Sequence, residues 1–208
     1  LCLIMDPTWR HAFTSILAGP TGAGKSVFTL RFISEVADMV TPPIEKIVYC
    51  YGEYQPIFGE YPQVTFNEGL PDLAQFDGKQ NTLLVIDDLM SETNDAVSNI
   101  FTKISHHRNV SVMYLTQNLF YKSKQSRTMS LNAHYIVVFK NPRDATQIST
   151  LARQMYPGKS QFLVEAFKNA TEKHFGYLLI DLKPDTEEKY RIRTGIFPGE
   201  MQFVYLPK

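Results

Sequence analysis

The chain has only two cysteines, Cys2 and Cys50, among its 208 residues. They are too few and too far apart for a disulfide framework or a zinc site, and they read as reduced thiols. Net charge is missing too, since 21 Lys and Arg balance 21 Asp and Glu. The whole-protein field therefore gives no hint of a nucleic-acid partner, and any such contact must come from a local patch. No apolar run approaches the roughly 20 residues that a membrane-spanning helix needs, and the first residues lack the basic start and cleavage pattern of a secretory leader. The expected location is intracellular, with no membrane partner. Repeats, low-complexity segments and linker-like stretches are absent as well, which leaves one domain as the expectation. Because the chain starts at Leu1 and enters a strand-like run almost at once, a fragment of a longer protein is also expected.

What is present is an alternation of short β-branched runs with helical patterns. The strand candidates are Phe13 to Ala18, Lys46 to Tyr51, Val64 to Phe66, Thr82 to Asp87, Val110 to Thr116 and Tyr135 to Phe139. Each is short and apolar, as strands buried on both faces are. Helical spacing runs over Lys25 to Met39, Asp95 to His107 and Arg143 to Met155, and these read as crossover helices. This order predicts an α/β three-layer sandwich on a mainly parallel sheet. After Pro157 come one helix, about Gln161 to Thr171, and strand-like runs Phe175 to Leu182, Lys189 to Phe197 and Gln202 to Tyr205. The turn at Lys183-Pro-Asp-Thr186 predicts a C-terminal antiparallel hairpin.

Directly after the first strand stands Gly19-Pro20-Thr21-Gly22-Ala23-Gly24-Lys25-Ser26, which matches G-x-x-x-x-G-K-[ST] at every fixed position and opens a helical pattern. Small glycines let successive backbone N–H groups curl around phosphates while the helix directs its positive end at them. Residues 19–27, up to Val27, form the candidate nucleotide-binding segment. Lys25 is placed to reach the β- and γ-phosphates and the Ser26 hydroxyl to bind Mg²⁺.

A second half of such a site is supplied by Leu83-Leu-Val-Ile-Asp87-Asp88, a buried strand ending in carboxylates at the edge where parallel sheets bind ligands. Asp87 is the candidate metal residue. Asp88 is the candidate general base or water-orienting group, with helix N-capping as its alternative. The strand Val110 to Thr116 ends in Gln117, a candidate γ-phosphate sensor, whose alternative is a plain strand-terminating polar residue.

The order of these motifs, followed by His106-His107-Arg108-Asn-Val-Ser-Val-Met-Tyr-Leu-Thr-Gln117-Asn118 and Lys140-Asn-Pro-Arg-Asp144, resembles the FtsK/HerA superfamily of DNA-pumping ATPases. It is most similar to the poxvirus-type genome-packaging ATPases, including those of Maverick/Polinton elements, over roughly residues 13 to 156. The resemblance implies a RecA-like sheet with one strand inserted between the P-loop strand and the acidic strand, and a hexameric ring. It further implies ATP- and Mg²⁺-dependent movement of double-stranded DNA, with a capsid or portal as partner and a place in the host nucleus, the cytoplasm or the virion. Arg108 matches the family's arginine finger, an element worth about 10³ to 10⁵ in rate. Its alternative is a cation at a helix C-terminus. Arg143 is a second candidate for phosphate sensing, with a capping role as its alternative. The family carries Asp-Glu where this chain has Asp87-Asp88, which puts the second acid about one methylene further from the water.

The basic stretch Tyr121-Lys-Ser-Lys-Gln-Ser-Arg127-Thr reads as a loop, and Lys122, Lys124 and Arg127 are candidate contacts to duplex phosphates or else an ordinary solvated surface. His106 and His107 have no companion ligands at metal spacing. The aromatic cluster Tyr49, Tyr51, Tyr54, Phe58 and Tyr61 reads as strand packing rather than a base-stacking surface. Three other functions share the phosphate motif. A nucleotide kinase would need an Arg-rich lid, which Tyr121 to Ser130 does not supply. A GTPase would need a Lys at the second position of Asn141-Pro-Arg-Asp144. A DNA-independent NTP-binding assembly protein remains the principal alternative.

Overall fold

The structure, a computed structural model, describes residues 8–87, 89, 94–120 and 124–207, and of residues 94, 95, 106 and 124–126 it describes the backbone alone. In chain order the elements are β1 (Trp9–Arg10), β2 (Thr14–Ala18), α1 (Lys25–Ser34), α2 (Val36–Met39), β3 (Val40–Thr41), β4 (Lys46–Tyr51), β5 (Val64–Glu68) and β6 (Thr82–Asp87). There follow α3 (Asn94–Asn99), a π-helical turn Ile100–Ile104, α4 (Ser105–His107), β7 (Val110–Thr116), α5 (Lys124–Leu131) and β8 (Tyr135–Phe139). The chain then runs through α6 (Thr146–Met155), α7 (Ser160–Ala170), β9 (Tyr177–Asp181), β10 (Ile192–Thr194) and β11 (Phe203–Val204).

Nine strands form one sheet in the order β11-β10-β9-β8-β2-β7-β6-β4-β5. The run from β8 to β5 is parallel, and β9, β10 and β11 extend it antiparallel. Because side chains alternate across a strand, each central strand feeds two cores. Leu17, Tyr49, Leu83, Val85, Met113, Leu115, Val137 and Leu179 pack on one face with Phe28, Phe32 and Ile33 of α1. Ile16, Val48, Leu84, Ile86, Val112, Ile136 and Ile180 pack on the other with Val97, Met129, Leu151 and Leu163 from α3, α5, α6 and α7. The result is the expected α/β three-layer sandwich with a mainly parallel sheet and a C-terminal hairpin, and β7 is the strand inserted between β2 and β6.

The strands Lys46–Tyr51, Thr82–Asp87, Val110–Thr116 and Tyr135–Phe139 coincide with their sequence-based bounds. Elsewhere tertiary pairing overrides the pattern. The helix expected over Lys25 to Met39 breaks at Glu35, whose φ of −105° and ψ of 15° turn the chain so that Val40 and Thr41 pair with Trp9 and Arg10. That pairing closes a buried aromatic cluster of Trp9, Phe13, Phe32 and Tyr135. The helix expected over Asp95 to His107 is interrupted by the π-turn, which buries Ile100 and Phe101. The run Lys189 to Phe197 is a strand only over Ile192–Thr194, because Glu188–Tyr190 forms a 3-10 turn and Gly195 adopts φ of +68°. A Cβ at Gly195 would meet the Met201 carbonyl oxygen at 2.2 Å, so only glycine fits there. The stretch Tyr121 to Thr128 reads in sequence as a loop, whereas Lys124–Leu131 is helical, because Met129 has a core place to fill.

Cys50 is a buried free thiol, and burial pushes it up to about 12, which keeps it neutral and inert. Cys2 lies outside the described residues. No helix among the described residues is long and apolar enough to cross a membrane.

Beneath the hairpin, buried Arg193 donates to Asp181 Oδ2 at 3.3 Å, while Asp181 Oδ1 accepts from the Lys183 amide (3.1 Å) and the Thr186 hydroxyl (2.9 Å). Removing one partner of such a pair leaves an uncompensated buried charge. Asp181→Ala is therefore expected to destabilise the fold by about 3–5 kcal/mol, read as a lower midpoint in urea unfolding. Stability equal to the parent chain would contradict this assignment.

Candidate functional site

The site is built at the carboxyl edge of the parallel strands. Ala18 at the end of β2 is in register with Thr116 of β7 on one side and Val138 of β8 on the other, and Asp87 at the end of β6 is in register with Leu115. The sheet thus delivers the loop 19–26, Asp87 and Gln117 to one edge. The Gly19 amide donates to the Thr116 carbonyl at 3.1 Å, tying the start of the loop to the tip of β7. Just beyond, the Asn118 amide donates to Thr116 Oγ1 (3.3 Å) and Asn118 Oδ1 accepts from the Phe120 amide (2.9 Å), a turn that leaves Gln117 exposed at the tip.

Within the loop, Gly22 (φ +77°) and Gly24 (φ +110°) hold left-handed conformations that side-chain-bearing residues rarely adopt. At Gly19 a Cβ would approach Phe139 Cβ to 2.8 Å. These glycines let the loop curl over the N-terminus of α1, where N–H groups lack helical partners and form an anion-binding concavity. Lys25 is nearly buried and donates through Nζ to the Gly19 (2.6 Å) and Pro20 (3.1 Å) carbonyls, which holds its ammonium across the mouth of the loop.

Thr21, Gly22, Gly24, Lys25, Ser26 and Val27 line a cleft of about 560 Å³ together with Tyr51, Gly52, Glu53, Gln55, Asp87 and Phe175. Lys25, Ser26 and Asp87 therefore face one space. The Tyr49 hydroxyl donates to Asp87 Oδ2 at 2.6 Å and also bonds to the Ser26 side chain. Burial, reinforced by the Asp87 carboxylate, pushes the Tyr49 hydroxyl far above its usual range, so it stays protonated and is a fixed donor. Tyr49 belongs to the aromatic cluster assigned above to strand packing. Its ring does pack against Phe58 and Phe66, but its hydroxyl joins the two oxygen residues singled out for a metal. Only the pairing of β4 with β6 exposes that second role, since nothing local marks it.

No group of three or more His, Cys, Asp or Glu side chains among the described residues could hold a metal ion. Ser26 and Asp87 nevertheless fit Mg²⁺, which keeps several waters and takes one or two protein oxygens plus phosphate oxygens.

Other expected site residues stand apart. Arg108 lies at the opposite edge of the sheet, two residues before β7, where its exposed guanidinium donates to the Leu73 (2.5 Å) and Phe76 (3.4 Å) carbonyls. β7 is seven residues long, so at about 3.3 Å per residue the strand alone puts roughly 20 Å between Arg108 and the tip that carries Gln117. Arg143 stands on the exposed β8–α6 loop, on the same edge as the cleft. Beside it, Asn141 Oδ1 accepts from the Arg143 and Asp144 amides, and the Asp144 carboxylate, held low by Thr146 and Gln147, accepts from the Thr146 amide at the start of α6. The Asn141-Pro-Arg-Asp144 segment thus closes a turn. Arg127 is exposed on α5, and Lys124 lies at that helix's first residue. Asp88 and Lys122 lie outside the described residues.

Compared with known proteins, the sequence matches no family model and no curated protein. Among solved structures the chain is similar to the genome packaging NTPase B204 from Sulfolobus turreted icosahedral virus 2. In complex with sulfate, that protein aligns with TM-score 0.56 and 12% identity over 98% of both chains. In complex with AMPPCP it aligns with TM-score 0.54 and 15% identity over 98% of this chain and 100% of that one. The ATP-gammaS complex gives TM-score 0.54 and 14% identity over 98% and 99%. At such identities the likeness is one of fold, and the fold is the RecA-like P-loop NTPase sandwich.

Partners that orient a metal's ligands typically govern metal affinity by 10- to 100-fold. Tyr49→Phe removes the donor to Asp87 while keeping the ring in its packing. It is expected to raise the Mg²⁺ concentration needed for half-maximal nucleotide binding by roughly 10-fold or more, with little change in thermal stability. An unchanged Mg²⁺ dependence would remove Tyr49 from the site.

Proposed function

We propose that the protein is an ATPase that couples hydrolysis to the movement of double-stranded DNA, most specifically the packaging of a viral or virus-like transposon genome into a capsid. The observation that carries the reading is the shared cleft: the loop 19–26, with Lys25 across its mouth, opposite Asp87 and beside the Gln117 tip. In this reading the amides of residues 19–27 hold the phosphates, Lys25 neutralises the β- and γ-phosphoryl charge, and Ser26 and Asp87 hold Mg²⁺. When bound, the metal offsets the charge that develops on the phosphates. Asp88 takes a proton from the attacking water and Gln117 orients that water against the γ-phosphate. The parallel likeness to a packaging NTPase over nearly the whole of both chains supports the motor as against a nucleotide kinase.

The position of Arg108 bears on assembly. At roughly 20 Å from its own loop edge it can act on a γ-phosphate only across a subunit boundary, as a hexameric ring would arrange. Arg143, on the cleft side, is a second sensor within the same subunit. Duplex DNA would be gripped through its phosphates by Lys122, Lys124 and Arg127, with no sequence preference. The protein would act in the host nucleus or cytoplasm, or within the virion, with capsid or portal proteins as partners.

Lys25→Ala is expected to abolish turnover, and Arg108→Ala to lower it by about 10³-fold or more. Mixing the two inactive variants places an intact Arg108 beside an intact Lys25 in some neighbouring pairs, so measurable ATP hydrolysis should return. No recovery in rings proven to be mixed would exclude Arg108 as a finger acting between subunits.

A further inference from the structure

The proposal that the loop 19–26 binds a nucleotide leaves open what holds the nucleoside, and the inference below rests on that reading. Asp87 and the loop define where the metal and the terminal phosphates go. In the sheet order, β6 lies two strands to one side of β2, and β9 lies two strands to the other. A nucleoside that leaves the loop on the side away from Asp87 passes toward β8 and β9. Two apolar side chains stand exposed on that cleft: Val27 on the first turn of α1, 52% exposed, and Phe175, just before β9, 41% exposed. Together they give the wall of the cleft an apolar surface that suits a ligand with an apolar face.

Phe175 is held there by its own turn. It takes φ of +57°, a conformation that a bulky residue rarely adopts and that points to a constraint from its surroundings. Gly176 behind it is packed so closely that a Cβ would lie 2.5 Å from the Ala170 carbonyl oxygen at the end of α7, and its amide donates to Lys173 O at 3.0 Å. Gly24 completes the fit, because a Cβ there would approach Phe175 Cδ1 to 2.9 Å. The His174 ring lies 3.8 Å from that of Phe175, tilted by 36°. The tight turn, the bare Gly24 backbone and the His174 ring therefore fix an aromatic plane against the loop.

We infer that Phe175 is the stacking platform for the base of the bound nucleoside triphosphate, with Val27 as the facing apolar contact. Stacking on an aromatic side chain is worth about 1–3 kcal/mol per base in single-stranded nucleic-acid binding, or roughly 5- to 150-fold in affinity. The sequence offered no sign of this, since Phe175 reads there as the first residue of a strand.

The test compares ATP with inorganic tripolyphosphate, which has the phosphates but no base, by isothermal titration on the full chain in the presence of Mg²⁺. Phe175→Ala should weaken ATP binding roughly 5- to 150-fold and leave tripolyphosphate binding unchanged, while Phe175→Tyr should restore ATP binding. Parent-like ATP affinity in Phe175→Ala would overturn the platform, as would an equal loss for both ligands, which would mean that Phe175 merely props the loop. The underlying nucleotide reading fails separately: the parent chain would then bind neither ligand, or ATP binding would survive Lys25→Ala, and the platform would fall with it.

Discussion

The parallel pairing of β7 with β2 on one side and β6 on the other is the constraint on which everything else in the molecule rests. The ladder from Thr14↔Val112 to Ala18↔Thr116, continued by Thr82↔Val110 to Asp87↔Leu115, sets three strand ends level. The Gly19 amide bond to Thr116 then fixes the loop to that edge. A one-residue slip of β7 would turn Val112, Met113, Tyr114 and Leu115 to the wrong faces, so register and burial enforce each other. The same ladder that buries both cores is what gathers Lys25, Ser26, Asp87 and Gln117.

A site made in this way is assembled from strand ends, and its precision comes from residues that never face the ligand. Tyr49 is the clearest case, with a ring in the aromatic core and a hydroxyl on Asp87. Phe139 is another, filling the space that a bare Gly19 leaves. On the far side, the antiparallel continuation through β9 carries Phe175 back to the loop, so the C-terminal hairpin is joined to the cleft as well as to the core. Arg108, at the other end of β7, belongs to a different surface, where it donates to the Leu73 and Phe76 carbonyls.

How much of this could be read in the sequence follows from how local each signal is. The loop 19–26 and the strand ending at Asp87 are contiguous motifs whose glycines, lysine and acid must be adjacent to act; the fold class followed from the alternation of strand-like and helical runs, and the inserted strand from the family resemblance. Central strands were legible because two-sided burial writes an uninterrupted apolar run. The pairing of Trp9–Arg10 with Val40–Thr41, the break at Glu35 and the helix Lys124–Leu131 were not legible, because each depends on a partner distant in sequence or on one buried residue such as Met129. Tyr49 and Phe175 escaped for the same reason: an aromatic in a strand-like run looks like core until the neighbouring strand is known.

Steady-state ATP hydrolysis by the purified chain, with and without long duplex DNA at two salt concentrations, tests the motor reading most directly. Because the formal net charge is zero, any grip on DNA must be local and electrostatic, and the account predicts a stimulation by DNA that fades as salt rises. Hydrolysis that is indifferent to DNA under conditions where the protein forms rings would contradict it and would favour an NTP-binding assembly protein instead.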